Sequence, residues 1–218
     1  MKITGIIVMG LLSAVELLTG ATASGTGNPA VGVCVDGEFS PYDQNIADHA
    51  QTLASRTFHR IGVQLDWHRA SSSFCGQRWV IQVTYSLHTP IDLVPSALAY
   101  TRPYEGIHID ILYDRVSGGN EVERAEVLGY VLVHEITHIL QGVARHSDSG
   151  IMKDHWNKAD FVRMRLVPML FSEDDVDLIH KGLHERADLA ASTRSLAAEG
   201  AGRTAAGSSN IEGPFQRK

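Results

Sequence analysis

Basic runs are missing from this 218-residue sequence. Its 19 lysines and arginines are outnumbered by 25 acidic residues, for a net charge of −6. A surface that neutralises phosphates needs clustered cations, so the composition argues against nucleic acid as a partner. Past the first two dozen residues there is no long apolar run, and so no second candidate for a membrane crossing. No internal repeat is visible, which argues against a stacked-repeat architecture. Cysteine is scarce, with Cys34 and Cys75 the only two. What remains is ordinary for a globular chain, at 44% hydrophobic and 20% charged residues, and the length suits one domain with tails.

The N-terminus reads as a secretory signal peptide over residues 1–23. Lys2 supplies the positive start and Ile3 to Ala14 an apolar stretch too short to span a bilayer comfortably. Ala21-Thr22-Ala23 fits a small-x-small cleavage site, which would leave Ser24 as the new N-terminus. The alternative is an uncleaved anchor. Secretion or export to a periplasm would place Cys34 and Cys75 in an oxidising compartment, where a disulfide is favoured. That bond would restrict the unfolded chain and contribute on the order of 3–4 kcal/mol.

The chemistry is concentrated in one stretch, Val122 to Met152. It contains His134-Glu135-Ile136-Thr137-His138, the pattern H-E-x-x-H. On a helix, positions i and i+4 lie one above the other, so His134 and His138 can face one metal ion. Glu135 is placed to take a proton from water. Asn120 is a suitable N-cap, Glu121 and Glu123 put negative charge in the first turn, and Gly142 suits a left-handed stop. Ala125, Leu128, Leu132, Ile136 and Ile139 form an apolar face roughly opposite the histidines. After Gly142 the chain reverses, so His146 can return as a third ligand. Three protein ligands with one open position is the pattern of catalytic zinc. His155 is a second candidate for that third place. Met152 follows in a short turn after Gly150, either as core filler or with a part in the site.

The run HEITHILQGVARHSDSGIM resembles the metzincin metalloproteases, whose motif is H-E-x-x-H-x-x-G-x-x-H followed by a methionine turn. Here the glycine comes one residue later and the third histidine two residues later. The ending His146-Ser147…Gly150-Ile151-Met152 is similar to the matrixin branch. So are Ala97–Tyr100 with Gly106–Asp110, which look like an edge strand and its neighbour, and Phe171–Val176, which looks like the start of the C-terminal helix. The longer form also resembles an uncharacterised group of secreted bacterial proteins. The resemblance implies a metzincin-like domain over 24–186, a bound Zn2+, ligands His134, His138 and His146, and Met152 beneath them. It also implies a peptide lying extended along Leu98 to Arg102, and one pocket wall formed by the irregular segment from Asp154 to Val167. Trp156 in that segment reads equally as a core anchor. A matrixin-like role for Cys34 as a zinc-blocking thiol is the alternative to the disulfide, although Pro29 to Val35 reads as a strand.

Elsewhere the patterns predict a helix from Asp43 to Arg60 and strands over Ile61–Trp67, Trp79–Ser86, Leu98–Arg102 and Ile107–Tyr113. A last helix, capped by Ser172 with Asp175 at its third position, should end near Leu183. Residues 187–218 should form a disordered tail. The expected architecture is α/β (α+β), a mixed twisted sheet with an active-site helix and a C-terminal helix. The expected function is that of a monomeric, secreted zinc endopeptidase acting on protein or peptide, with Glu135 as general base and then general acid. No further cofactor is expected, and no stable membrane association after signal cleavage. The alternative is a non-catalytic secreted domain of the same fold that binds zinc or another protein. The intact Glu135 argues against it.

Overall fold

The computed structural model describes residues 28–90, 93–94, 96–101, 107–116 and 118–206, with side chains omitted at 194 and 196–206. The expected signal peptide, the turn at 103–106 and the last residues of the tail lie outside this set. The order is β1 (Ala30–Asp36), α1 (Pro41–His59), β2 (Gln64–Arg69), β3 (Ile81–Ser86), β4 (Ala99–Thr101), β5 (His108–Leu112), α2 (Glu121–Gln141), α3 (Lys158–Leu166) and α4 (Glu173–Ala206).

The strands form one five-stranded sheet in the order β2-β1-β3-β5-β4. All neighbours are parallel except β4, which runs antiparallel to β5 at the edge. This is the mixed α/β arrangement expected. Side chains alternate across the sheet. Val31, Val33, Ile81, Val83, Tyr85, Ile109 and Ile111 are buried in the core that α1 and α2 complete.

α1 contributes Ile46, Ala50, Ala54 and Phe58 to that core, all inaccessible to solvent. Its N-cap is Ser40, whose side chain accepts from the Asp43 amide. α1 and α2 cross closely because Gly129 has no side chain. A Cβ there would lie 3.1 Å from the Ala50 carbonyl oxygen and from Leu53. Leu128, Leu132 and Ile136 of α2 are fully buried, each contributing about 1.5–3 kcal/mol relative to exposure. A bulky residue at 129 would push the two helices apart and loosen this layer.

On the other face of the sheet, Cys34 is joined to Cys75, with Cα atoms 5.7 Å apart. The bond holds the 3-10 turn Ser73–Gly76 against the sheet. Phe74 of that turn stacks on His68 at 4.0 Å. The ring occupies the space where Gly32 would otherwise carry a Cβ, 2.5 Å away. Bonded in this way, Cys34 is not available as a zinc-blocking thiol.

Three expectations need correction. β2 starts at Gln64 rather than Ile61, because residues 60–62 close the end of α1: the Ile61 and Gly62 amides donate to the Phe58 and His59 carbonyls, and Gly62 has φ +75°. The segment 158–166, expected to be irregular, is helical. The Asn157 side chain accepts from the Ala159 and Asp160 amides while Asp160 accepts from the Asn157 amide, a capping box. The helix stops at Val167, whose extended backbone is what Pro168 demands of its predecessor. Finally, α4 continues to Ala206 instead of ending near Leu183. Its later turns are rich in alanine, the residue with the highest helix propensity. Residues 187–206 are thus helical, and 207–218 lie outside the described set.

Candidate metal centre

α2 carries the motif through a buried layer. Asn120 caps it by accepting from the Glu123 amide at 3.1 Å. Gly142 ends it with φ +67°, its amide donating to the His138 carbonyl. Between these ends His134, Glu135 and His138 are all buried, at 9%, 8% and 5% exposure. Polar side chains at that depth require partners.

The histidines find them in the backbone. His134 Nδ1 donates to the Ile151 carbonyl at 2.9 Å, and His138 Nδ1 donates to the Val143 carbonyl at 3.2 Å. A carbonyl only accepts, so each Nδ1 carries the proton and each Nε2 presents a lone pair. The two Nε2 atoms face each other at 3.0 Å. Two lone pairs at that distance repel unless a cation lies between them. Zinc is a cation that two such imidazole nitrogens would hold. Burial pushes the His134 pKa down to about 4 and also lowers that of His138. Both rings are neutral at neutral pH, the state in which imidazole binds metal.

His146 completes the group. Its ring centroid lies 5.3 Å from that of His134 and 4.9 Å from that of His138. The donor atoms of the three all lie within 4.8 Å of one another. One extra residue lies in the last turn of α2 before Gly142 and one in the turn after it, and the shifted spacing still delivers the third ring. His155 does not join. It is exposed and pairs through Nδ1 with Asp154 Oδ2 at 2.7 Å. Three histidines without a thiolate make the donor set of a zinc site with an open position.

Sequence reasoning did not find what holds His146 in place. Asp175, buried near the start of α4, accepts from Arg145 at 2.6 Å and from the Ser147 hydroxyl at 3.3 Å. The residues on both sides of His146 are therefore tied to one carboxylate. Desolvation pushes the Asp175 pKa up, but hydrogen bonds from Ser172, Arg145 and Gln141 outweigh it and the net shift is downward. The Ser172–Asp175 capping box expected from the sequence is present, and it supplies only part of this network. Asp154 Oδ1 also lies 3.5 Å from His146 Nδ1.

Ile151 and Met152 are fully buried in the following turn. Gly150 makes this turn possible in two ways. Its φ is +78°, and a Cβ would lie 2.7 Å from the Leu170 carbonyl oxygen. The Ser147 amide donates to the Met152 carbonyl at 2.7 Å and closes the loop. Trp156 stands edge-on to His134 with centroids 5.8 Å apart, and its Nε1 lies 3.4 Å from the Gly150 carbonyl oxygen. It packs against the core as well, so it anchors the turn and also borders the site.

Glu135 has the most displaced acid. Burial pushes its pKa up to about 8. It is a carboxyl group poised to hold or release a proton near neutrality, next in sequence to a ligand-type histidine.

No known protein family's sequence profile matches this chain, and no curated protein matches it. Among solved structures, an archaemetzincin from Methanopyrus kandleri is similar at a TM-score of 0.49 and 14% identity, over 75% of this chain and 99% of that one.

Proposed function

We propose that this chain is a secreted zinc peptidase of the metzincin type, similar to the matrixin branch, that hydrolyses peptide bonds within proteins or peptides. The observation carrying the reading is the convergence of His134, His138 and His146 on one point, with Glu135 buried beside them. Bound zinc would supply a Lewis acid that polarises a carbonyl and acidifies water.

The chain's own residues do the rest. The Ile151 and Val143 carbonyls fix the tautomers of His134 and His138, leaving both Nε2 atoms free to ligate. Asp175 fixes the loop that carries His146. Glu135 takes a proton from the attacking water and returns it to the departing amine. Among the described residues β4, Ala99–Thr101, is the edge strand of the sheet, next to β5, and an extended substrate would lie along it. A disulfide favours an oxidising compartment, and no described helix is long and apolar enough to cross a membrane. The disulfide supports export after cleavage behind Ala23.

Elemental analysis of the purified chain, with a casein or fluorogenic-peptide assay, tests the reading. About one zinc per chain and chelator-sensitive hydrolysis are expected. Glu135→Gln should keep the zinc and lose the hydrolysis. A chain that takes up no zinc at neutral pH, or a fully active Glu135→Gln variant, would overturn it.

A further inference from the structure

A second concavity, of about 250 Å³, lies between the first turns of α2 and the α3 helix. Val127, Phe161 and Met164 give it apolar walls, and Leu98, next to the edge strand, closes one side. Val127 and His134 are seven residues apart on α2. They therefore share a face and are separated by about 10 Å along the axis. Aromatic rings bridge that interval: Phe161 meets Trp156 with centroids 6.4 Å apart, and Trp156 meets His134 at 5.8 Å.

Glu123, Glu126 and Arg165 are the charged residues of the lining. Arg165 Nη2 pairs with Glu123 Oε1 at 2.7 Å, so these two cancel. Glu126 is left over. One of its carboxylate oxygens is sealed from solvent and has no hydrogen-bond partner among the described residues. Burial pushes its pKa up, against a smaller downward pull from Arg165. The Glu126 carboxylate thus enters the lining with no ion-pair partner among the described residues.

We propose that this cavity receives a substrate side chain and that Glu126 selects a long cationic one, lysine or arginine, at the position just after the scissile bond. The inference rests on the peptidase reading. An aliphatic stem would lie along Val127, Phe161 and Met164 while the charged head met the Glu126 carboxylate where it lines the cavity. A neutral side chain would fill the walls and leave that carboxylate without a counter-charge. An acidic one would meet Glu126 with like charge.

The test compares matched fluorogenic peptides that differ only in having Lys, Arg, Leu or Glu after the cleaved bond. For the zinc-loaded chain, kcat/KM should favour Lys and Arg by roughly tenfold over Leu, and by more over Glu. Glu126→Gln should bring the Lys/Leu ratio towards one, and Glu126→Arg should shift preference towards Glu. Cleavage that favours Leu, or a ratio untouched by Glu126→Gln, overturns the subsite while leaving the peptidase intact. A second measurement separates the two claims. Binding of the same peptides to zinc-loaded Glu135→Gln, followed by Trp fluorescence, should show the same Lys preference and lose it when Glu126→Gln is added. If nothing is cleaved but this Glu126-dependent binding appears, the peptidase reading falls and the subsite stands. If the binding shows no dependence on Glu126, the subsite falls.

Discussion

Asp175 binds Arg145 at 2.6 Å across the gap between α4 and the loop that carries His146. The carboxylate is almost fully buried, and the guanidinium is about one-third exposed. Removing the carboxylate strands a partly solvated arginine and frees Ser147 as well. Asp175→Ala should therefore cost about 1–3 kcal/mol, less than for a fully buried pair because water screens the arginine. It should also weaken zinc about tenfold or more, as loss of an outer-shell support does. Urea unfolding and chelator competition would read the two effects. Lost stability with unchanged zinc affinity would detach Asp175 from the metal site.

The choice between His146 and His155 as third ligand is open to direct measurement. His146→Ala should lower zinc affinity by orders of magnitude, and His155→Ala by little, since only His146 has a donor atom within 4.8 Å of the other two rings. Asp154→Ala should have an intermediate effect because Asp154 touches both rings. An ordering with His155 on top would reassign the third ligand.

Glu135 and His134 give the metal-free protein opposing pH dependences. Glu135 has a folded pKa of about 8 against a reference of 4.5. Between those values the folded chain keeps a proton that the unfolded chain releases, so stability falls as pH rises, by on the order of 5 kcal/mol in all. His134 has a folded pKa of about 4 against 6.5. There the unfolded chain takes up the proton, and stability falls as pH drops from 6.5 to 4, by about 3 kcal/mol. Metal-free Glu135→Gln should be more stable than the parent at pH 8, and should lose stability steeply below pH 6.5. Parallel profiles for the two proteins would show that Glu135 is not held protonated by burial.

The Cys34–Cys75 bond should matter for stability and not for zinc. Replacing both residues by serine, or reducing the bond, should lower unfolding free energy by about 3–4 kcal/mol. The zinc stoichiometry should hold, because Cys34 alternates with the core-facing Val33 and Val35 and lies on the side of the sheet away from α2. Loss of zinc on reduction would tie the two faces together.

α2 was legible from sequence because its signals are local. Asn120, Gly142 and the i, i+4 histidines act within a turn of where they stand. The Asn157–Asp160 box of α3 was equally local, but in a segment that the family resemblance implied to be irregular. α4 runs past the point where large apolar residues become scarce because alanine's helix propensity sustains its later turns. The supports of the metal site were not legible. Asp175 reaches Arg145 across 30 residues of chain, and the groups that orient His134 and His138 are carbonyls, which every residue possesses.

The Ile151 carbonyl survives any substitution of Ile151 that leaves the backbone in place, so a scan of side chains would pass over the group that orients His134. The orientation is exposed to mutation at Gly150 instead. A methyl group there would meet the Leu170 carbonyl and oppose the positive φ, turning the peptide that carries the Ile151 oxygen. Gly150→Ala, a change of three atoms outside any ligand, should thus disturb the metal more than the truncation of Ile151 itself.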